Sequence, residues 1–272
     1  MKDLKESLNK FFGFPDFIGL QEEAIKSLLN KRDTFVIMPT GGGKSICYQL
    51  PALISEGTAL VVSPLIALMK NQVDHVRGVS DDDRVAHVLN SSLTKTETNK
   101  VKEDLINGFT KLLYVAPESL AKIETINFFK KINISFLAVD EAHCISEWGH
   151  DFRPAFRLIK NLRPLFPQTP IMALTATATP KVLKDISTSL GLIQPKIFRT
   201  SFERKNIYYD VLHAEDKMAT LKRLLINSPN ESVIIYCRSR SKTEHIAKEL
   251  QSWGLKAGFY HGGVEARQKK QI

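Results

Sequence analysis

Short apolar, β-branched runs alternate with longer amphipathic stretches along most of this chain, from about residue 20 to residue 195. A run that is apolar throughout, rather than at every second position, indicates a strand covered on both faces. Amphipathic stretches between such runs indicate helices that pack on a mostly parallel sheet. The pattern therefore predicts an α/β fold with ligands at the carboxyl ends of the strands. The six predicted strands are Thr34–Met38, Ala59–Ser63, Val85–Leu89, Leu112–Ala116, Phe136–Asp140 and Ile171–Leu174.

Helix-like stretches separate these strands, and the pattern changes once along the chain. Near Phe198–Asn206 it breaks into a polar, basic segment, where we place a boundary between domains at residues 1–200 and 201–272. Beyond it, Ser232–Tyr236 and Lys256–Tyr260 are predicted as strands around an amphipathic stretch, Ser241–Trp253. About 65 residues are few for an independent α/β domain, so we expect an incomplete one. The predicted helices of the first domain are Gln21–Asn30, Leu65–Val76, Lys95–Asn107, Pro154–Phe166 and Pro180–Leu190.

Two segments at predicted strand ends carry side chains suited to a nucleoside triphosphate. A glycine loop follows the first strand, and glycine lets backbone N–H groups approach phosphate oxygens because it has no Cβ. Lys44 can then reach the β- and γ-phosphates, and Ser45 can bind Mg²⁺. Asp140, at the end of the fifth strand, can hold the metal, and Glu141 can polarise the attacking water. The loop consists of Thr40, Gly41, Gly42, Gly43, Lys44 and Ser45.

A glycine turn beside an exposed acidic pair is the alternative to a nucleotide site. The strict phosphate-loop pattern begins with glycine, where this chain has Met38. An ordinary turn, however, would account for neither Lys44 nor Ser45. Because both segments also follow apolar runs, the sequence favours a nucleotide site with a bound magnesium ion.

Charge and composition suggest the class of partner and the compartment. The net charge of +9 and a pI near 9.4 suit a polyanion, although this balance alone is weak support for nucleic acid. Three widely spaced cysteines form no zinc or disulfide pattern, so a reducing compartment is expected. With no apolar N-terminal region and no run long enough to cross a bilayer, we expect no membrane contact and an intracellular location. That location would be cytoplasmic and nucleoid-associated in a bacterium, or nuclear in a eukaryote.

One long motif, Asp140–Pro154, joins the acidic pair to a loop that contains several aromatic residues. Shorter motifs accompany it at Met38–Ala52, Val62–Met69, Ala116–Glu118 and Thr175–Thr177. Together they resemble the signature motifs of superfamily-two helicases, and most closely those of the RecQ family. The long motif resembles both the DEAH box and the aromatic-rich loop that follows it in RecQ proteins, and it is the most specific of the set.

The resemblance implies a RecA-like ATP-binding domain followed by the start of a second, incomplete RecA-like domain. It implies an ATP-dependent DNA helicase that moves 3′-to-5′ and unwinds DNA in recombination and repair, with ATP and Mg²⁺ as ligands and single-stranded and partly duplex DNA as partners. Phe14 would stack on adenine and Gln21 would bond its edge, although Ile18 stands where the family usually has arginine. Thr175 and Thr177 would couple DNA to hydrolysis. For Phe11, Phe12 and Phe17, packing at a helix start is the alternative.

The aromatic loop has a physical interpretation of its own. Its candidate DNA-binding side chains are Trp148, His150, Phe152 and Arg153, a few residues beyond Asp140. Aromatic faces stack on unpaired bases with about 1–3 kcal/mol each, and arginine can add a phosphate or stacking contact. The alternative is that Trp148 and Phe152 are core residues beneath a loop. The polar Gly-His-Asp surroundings favour contact with DNA.

Three further segments also resemble the family: Ser201–Asn206 resembles its interdomain segment, and Ile234–Cys237 and Tyr260–Gly263 resemble motifs of its second domain. The motifs V and VI that follow in the family, with its arginine finger, zinc-binding region and winged helix, have no counterpart in residues 1–272. Two alternative functions therefore stay open. One is an RNA helicase of the DEAD/DEAH type, and the other is a non-catalytic nucleic-acid-binding fragment.

Overall fold

A seven-stranded parallel sheet organises the first of two units into which the chain divides, Met1–Asn206 and Ile207–Ile272. The computed structural model describes residues 3–90, 93–149, 151–201, 207–228 and 231–264. The strands are β1 Thr34–Ile37, β2 Thr58–Val62, β3 Ala86–Leu89, β4 Leu112–Val115, β5 Ile134–Val139, β6 Ile171–Thr175 and β7 Lys196–Arg199. They lie in the order β3-β4-β2-β5-β6-β1-β7, and all six ladders are parallel. The predicted α/β fold is confirmed for this unit.

Alternation along β1 shows that both faces of the sheet are covered. Phe35 and Ile37 join one core cluster, whereas Val36 and Met38 join the cluster on the opposite face. Successive side chains of a strand point to opposite faces, so a strand buried on both sides is apolar throughout. This is why all six predicted strands are present, each within two residues of its predicted bounds.

Eight α-helices surround this sheet within the described residues. Four of the five predicted helices are present, and no described helix is long and apolar enough to cross a bilayer. The fifth, Pro154–Phe166, is instead a 3-10 helix over Pro154–Asn161 followed by one α-helical turn, which contains Pro164, a residue without a backbone N–H. The helices are α1 Leu4–Phe12, α2 Gln21–Leu29, α3 Ile46–Ile54, α4 Ile66–Gly78, α5 Lys95–Ile106, α6 Ile123–Phe129, α7 Leu162–Leu165 and α8 Pro180–Leu190.

The elements of the first unit that are absent from the predicted set include α1 and β7. β7 occupies part of the segment assigned to a polar boundary, because only Phe198 of its four residues is buried and an edge strand needs no continuous apolar run. α1 begins at an Asp3 cap and ends at Gly13, whose φ is 71°. It packs on α2 and α3, and the partly buried Phe11, Phe12 and Phe17 join that cluster. The three phenylalanines therefore pack as the alternative expected, although Phe11 and Phe12 lie at the end of α1 and not at a helix start.

The second unit contains two helices in its described part, α9 Lys217–Asn227 and α10 Arg240–Ser252. The strands predicted at Ser232–Tyr236 and Lys256–Tyr260 were wrong, because the described residues of these segments form no ladder. A strand requires a hydrogen-bonded neighbour, and neither segment has one within the described ranges. Consequently Ile234 and Tyr236 remain 79% and 92% exposed. The predicted motif Ser201–Asn206 lies outside the described residues except for Ser201.

A buried carboxylate, Asp33, ties together the edge of the sheet where the strands begin. It accepts hydrogen bonds from the amides of Ile171 (2.8 Å) and Ile193 (2.7 Å) and forms an ion pair with Arg163. Its own carbonyl accepts from the amide of Lys196 at 2.9 Å. The side chain and the carbonyl of this one residue thus connect the starts of β1, β6 and β7.

Replacing Asp33 by alanine should destabilise the protein by about 3–5 kcal/mol, because the largely buried Arg163 guanidinium and the amides of Ile171 and Ile193 would lose their acceptor. The free energy of unfolding in urea measures this change. Asp16→Ala is the matched control, since Asp16 forms an exposed ion pair with Lys5 and its loss should leave the midpoint nearly unchanged. Equal effects of the two substitutions would show that Asp33 is not a structural tie.

Candidate functional site

The glycine loop between β1 and α3 has a backbone that only glycine adopts readily. Gly41 and Gly43 have φ values of 79° and 72°, in the left-handed region. A Cβ on Gly43 would also collide with the side-chain amide of Gln21. The predicted loop therefore has both the conformation and the close approach that its glycines indicated.

Gln21, at the start of α2, holds this loop from one side. It is buried; its Oε1 accepts from the amide of Ile18 (2.9 Å), and its Nε2 donates to the carbonyls of Gly42 (3.3 Å) and Gly43 (3.1 Å). The amide that was predicted to bond adenine is thus engaged with the loop itself. Phe14, the predicted adenine platform, is half exposed and presents an accessible ring.

The donors of the loop match an anion with several oxygens. Lys44 Nζ donates to the carbonyls of Met38 (3.1 Å) and Pro39 (3.3 Å), so the ammonium folds back over the loop. Within the described residues, the amides of Gly43, Lys44 and Ser45 donate no hydrogen bond. They stand just before α3, where the helix dipole adds positive potential. This donor set fits phosphate groups, and the exposed Thr40 borders it.

Asp140 directly follows β5 and is a buried carboxyl. Burial, together with the negative charge of Glu141 beside it, raises the pKa of Asp140 to about 6, and the Glu141 amide and Lys44 only partly offset this. The amide of Glu141 donates to Asp140 Oδ1 at 3.0 Å. Glu141 itself has a φ of 49°, an unusual conformation for a residue with a side chain. Lys31 and Gln194 also have positive φ values, but of these three residues only Glu141 combines this conformation with a neighbouring buried carboxyl at a strand end.

A polar chain leads from Glu141 to the segment after β6. Glu141 Oε2 lies 3.2 Å from His143 Nδ1, which lies 3.0 Å from Thr175 Oγ1. Thr175 donates its hydroxyl to the carbonyl of Thr177 (3.1 Å) and accepts from the amide of Thr177 (3.3 Å). Since the hydroxyl proton is used in this way, His143 Nδ1 is assigned as the donor to Thr175.

His143 was not assigned to the site in the sequence analysis. It is buried, as is Thr175, so the link between them runs through the protein interior. The available signal was its place two residues beyond Glu141, in a turn that follows a strand end. That spacing alone does not reveal a partner 32 positions away in the sequence.

The aromatic loop is exposed at its tryptophan. Trp148 is 62% exposed, so the alternative that it is a core residue is wrong. Lys181 Nζ lies 3.0 Å from the centre of the Trp148 ring, and the guanidinium of Arg157 lies 5.2 Å from the centre of the partly exposed Phe152 ring. Each of these two rings therefore has a cation on one face. The predicted site residue His150 lies outside the described residues.

Arg153, predicted to contact DNA, has structural partners within the first unit. It forms an ion pair with Asp151 (2.9 Å) and donates from Nη1 to the carbonyl of Pro64 (3.1 Å). Its backbone amide donates to the carbonyl of Cys144 at 2.8 Å. The arginine thus fastens the aromatic loop to the segment after β2.

One group of side chains in this region has the composition of a metal site, namely His143, Cys144 and Asp151, whose ligand atoms lie within 4.8 Å of one another. Burial raises the pKa of the Cys144 thiol to about 12, and its sulfur donates to Asp151 at 3.7 Å. Asp151 is paired with Arg153, and His143 is engaged with Thr175. These contacts account for all three side chains without a metal.

Comparison with known proteins agrees with this geometry. The chain is 47% identical to the ATP-dependent DNA helicase RecQ of Pasteurella multocida (strain Pm70) over 270 residues, which cover 97% of this chain and 42% of that protein. The RecQ of Haemophilus influenzae (strain ATCC 51907 / DSM 11121 / KW20 / Rd) is 44% identical over 268 residues, again with 97% and 42% covered. The chain thus spans less than half the length of these relatives.

A solved structure shares the fold. The DUF1998 helicase MrfA bound to DNA and AMPPNP matches with a TM-score of 0.73 at 16% identity, over 100% of this chain and 41% of that one. Residues 19–186, more than half of the chain, match the family described as DEAD/DEAH box helicase. The resemblance to RecQ helicases is confirmed, and the chain belongs to the DEAD/DEAH box helicase family.

Proposed function

We propose that this chain is the ATP-binding part of a RecQ-type DNA helicase, which couples ATP hydrolysis to 3′-to-5′ movement along DNA and to unwinding in recombination and repair. One observation carries the proposal. The adjacent strands β5, β6 and β1 end at one edge of the sheet. They bring together Asp140, Thr175 and the glycine loop, which contains Lys44. The aromatic loop continues from the same strand end as Asp140, which gives DNA a short route to the nucleotide.

The residues of this edge have distinct roles in the proposed reaction. Lys44 and the amides of the glycine loop hold the phosphates of ATP, and Ser45 and Asp140 hold Mg²⁺. When bound, the ion neutralises phosphate charge. Glu141 accepts a proton from the attacking water, and His143 orients the Glu141 carboxylate.

The second unit is proposed to belong to a second RecA-like domain. Its described part has a helix, α10, between two apolar segments, and both segments overlap the regions that resemble helicase motifs. The segment after α10 contains His261, which lies 2.8 Å from Glu244 of that helix. This order of an apolar segment, a helix and a second apolar segment supports the domain assignment.

Asp140 makes the stability of the free protein depend on pH. Because its folded pKa is raised from 3.8 to about 6, the unfolded chain loses this proton first as pH rises. Ionisation of this carboxyl therefore lowers the free energy of unfolding as the pH rises between these two pKa values. A difference of about two pKa units corresponds to about 3 kcal/mol. A bound cation would reverse this effect, since it requires the ionised form.

We expect Asp140→Asn to stabilise the free protein by about 3 kcal/mol at pH 7.5 and by less than about 1 kcal/mol at pH 4. Urea unfolding with EDTA at both pH values measures the difference. The exposed Asp81→Asn is the control and should change neither value. A pH-independent effect of Asp140→Asn would contradict the raised pKa.

Glu141→Gln should retain Mg-ATP binding and lower the hydrolysis rate by at least about 100-fold, because it preserves shape and removes the base. Lys44→Ala should lose both Mg-ATP binding and hydrolysis, since the loop would lose its side-chain cation. Binding of a fluorescent ATP analogue and phosphate release, measured in the full-length protein, separate these results. If Glu141→Gln lost binding and turnover together, Glu141 would have a structural role instead.

Single-stranded DNA should stimulate ATP hydrolysis by the full-length protein more strongly than RNA of equal length and sequence. Trp148→Ala should keep the DNA-independent rate and reduce the stimulation, since the ring lies outside the glycine loop. Steady-state rates at saturating oligonucleotide measure both. Stronger stimulation by RNA would favour an RNA helicase, and no hydrolysis would favour a non-catalytic binding protein.

A further inference from the structure

We propose that Lys181 and Asp185, one turn apart on α8, are positioning residues of the aromatic loop: Lys181 covers one face of Trp148 until an unpaired base displaces it, and Asp185 fixes the base of the loop whether or not DNA is bound. The inference rests on the proposed function, because it concerns how single-stranded DNA reaches the loop. Neither residue contacts the nucleotide; both act through the loop.

The two residues contact the same short segment. Lys181 Nζ lies 3.0 Å from the centre of the Trp148 ring. Asp185 Oδ2 accepts a hydrogen bond from Ser146 Oγ at 2.6 Å, and Ser146 Oγ in turn accepts from the amide of Trp148 at 3.3 Å. Residues four apart on a helix lie on one face, so α8 presents both groups to the loop together.

Lys181 occupies a surface that a base would use. Cations and nucleobases both bind the face of an indole, and a single face cannot hold both. Trp148 is otherwise 62% exposed, so its ring is accessible once the ammonium leaves. Lys181 thus competes with the base and sets the concentration at which DNA engages the loop.

Asp185 acts at the base of the loop. Ser146 is fully buried and directly follows the short 3-10 helix Ala142–Ile145, which contains His143. The Asp185 bond therefore fixes the point where the aromatic loop leaves the polar chain described above. Without it, Trp148 can still bind a base, but its movement is transmitted less directly to His143.

α8 connects the end of the polar chain to the aromatic loop. The polar chain from Glu141 ends at Thr177, and α8 begins at Pro180 after a Thr179 cap, which accepts from the amide of Val182 at 3.3 Å. From α8, Asp185 leads back to the aromatic loop. A loop displaced by DNA would therefore pull on α8 and on the segment that holds Thr175.

Tryptophan emission tests the Lys181 contact without DNA or ATP. The chain has two tryptophans, so Trp253→Phe leaves Trp148 as the reporter. In that background Lys181→Met, which removes the charge and keeps the length, should shift the emission, whereas Lys181→Arg should retain it. Lys184→Met, an exposed lysine on the same helix, is the matched control and should change nothing. Identical emission of Lys181→Met and the parent would overturn the contact.

Titration with oligo-dT tests competition in the full-length protein. Lys181→Met should lower the oligonucleotide concentration for half-maximal ATPase stimulation by about threefold, as expected for an exposed cation–π contact. Lys181→Arg and Lys184→Met should leave that concentration unchanged. A higher concentration for Lys181→Met would show that Lys181 binds DNA and would overturn the proposal. If the parent hydrolyses no ATP, the proposed function fails, while the emission result still decides whether the contact exists.

The role of Asp185 is tested by measuring two quantities separately: the affinity for oligo-dT and the maximal stimulated rate of ATP hydrolysis. Asp185→Ala should lower the maximal stimulated rate severalfold, with unchanged DNA-independent rate and unchanged affinity for oligo-dT. Asp185→Asn, whose amide oxygen can still accept from Ser146, should restore the rate, and Ser146→Ala should add nothing to Asp185→Ala. If Asp185→Ala lowered the hydrolysis rate equally with and without DNA, or if Asp185→Asn did not restore it, Asp185 would have a merely structural role.

Discussion

The order of the parallel strands is the constraint on which the rest of this structure depends. β1 and β2 are not neighbours in the sheet, because β5 and β6 lie between them. Parallel strands all end at the same edge, so this order brings together groups that are far apart in sequence: Lys44, Asp140 and Thr175. Asp33 secures the opposite edge at the starts of β1, β6 and β7. The chemistry at one edge therefore depends on hydrogen bonds at the other.

This arrangement supports groups that are unfavourable on their own. Asp140 is a carboxyl held in a buried position, and Glu141 has a left-handed backbone. Neither feature stabilises the ligand-free protein. Both persist only because the surrounding sheet and its covering helices hold these two residues in place. Their cost is consistent with a site shaped for ligands rather than for stability.

Much of the fold follows from residue type, and the failures have physical causes. Strands buried on both faces are recognised by continuous apolar runs, whereas β7 buries a single side chain and resembles a loop. In the second unit, apolar segments alone predicted strands, but pairing requires a neighbour that the described residues do not provide. Local motifs identified the glycine loop and the acidic pair.

Contacts between distant segments were beyond the sequence interpretation of the site. Arg153 was predicted from its residue type to contact DNA, and the fold gives it two further partners, Asp151 and the carbonyl of Pro64, 89 positions earlier. Ser146 and Asp185 are 39 positions apart, and no local pattern connects them. Residue type indicates what a side chain can bind, whereas the fold determines which of several possible partners it reaches.

The edge strand β7 also has a mechanical consequence. It pairs with β1 along four residues, and just beyond it the amide of Thr200 donates to the carbonyl of Ile37 at 3.0 Å. Ile37 is the last residue of β1, three positions before the glycine loop. A force applied to the chain after Thr200 would load this parallel ladder in shear, so that its hydrogen bonds share the load instead of breaking one by one. After β7 itself, the strand that carries the glycine loop is therefore the first part of the sheet to experience tension from the chain that follows.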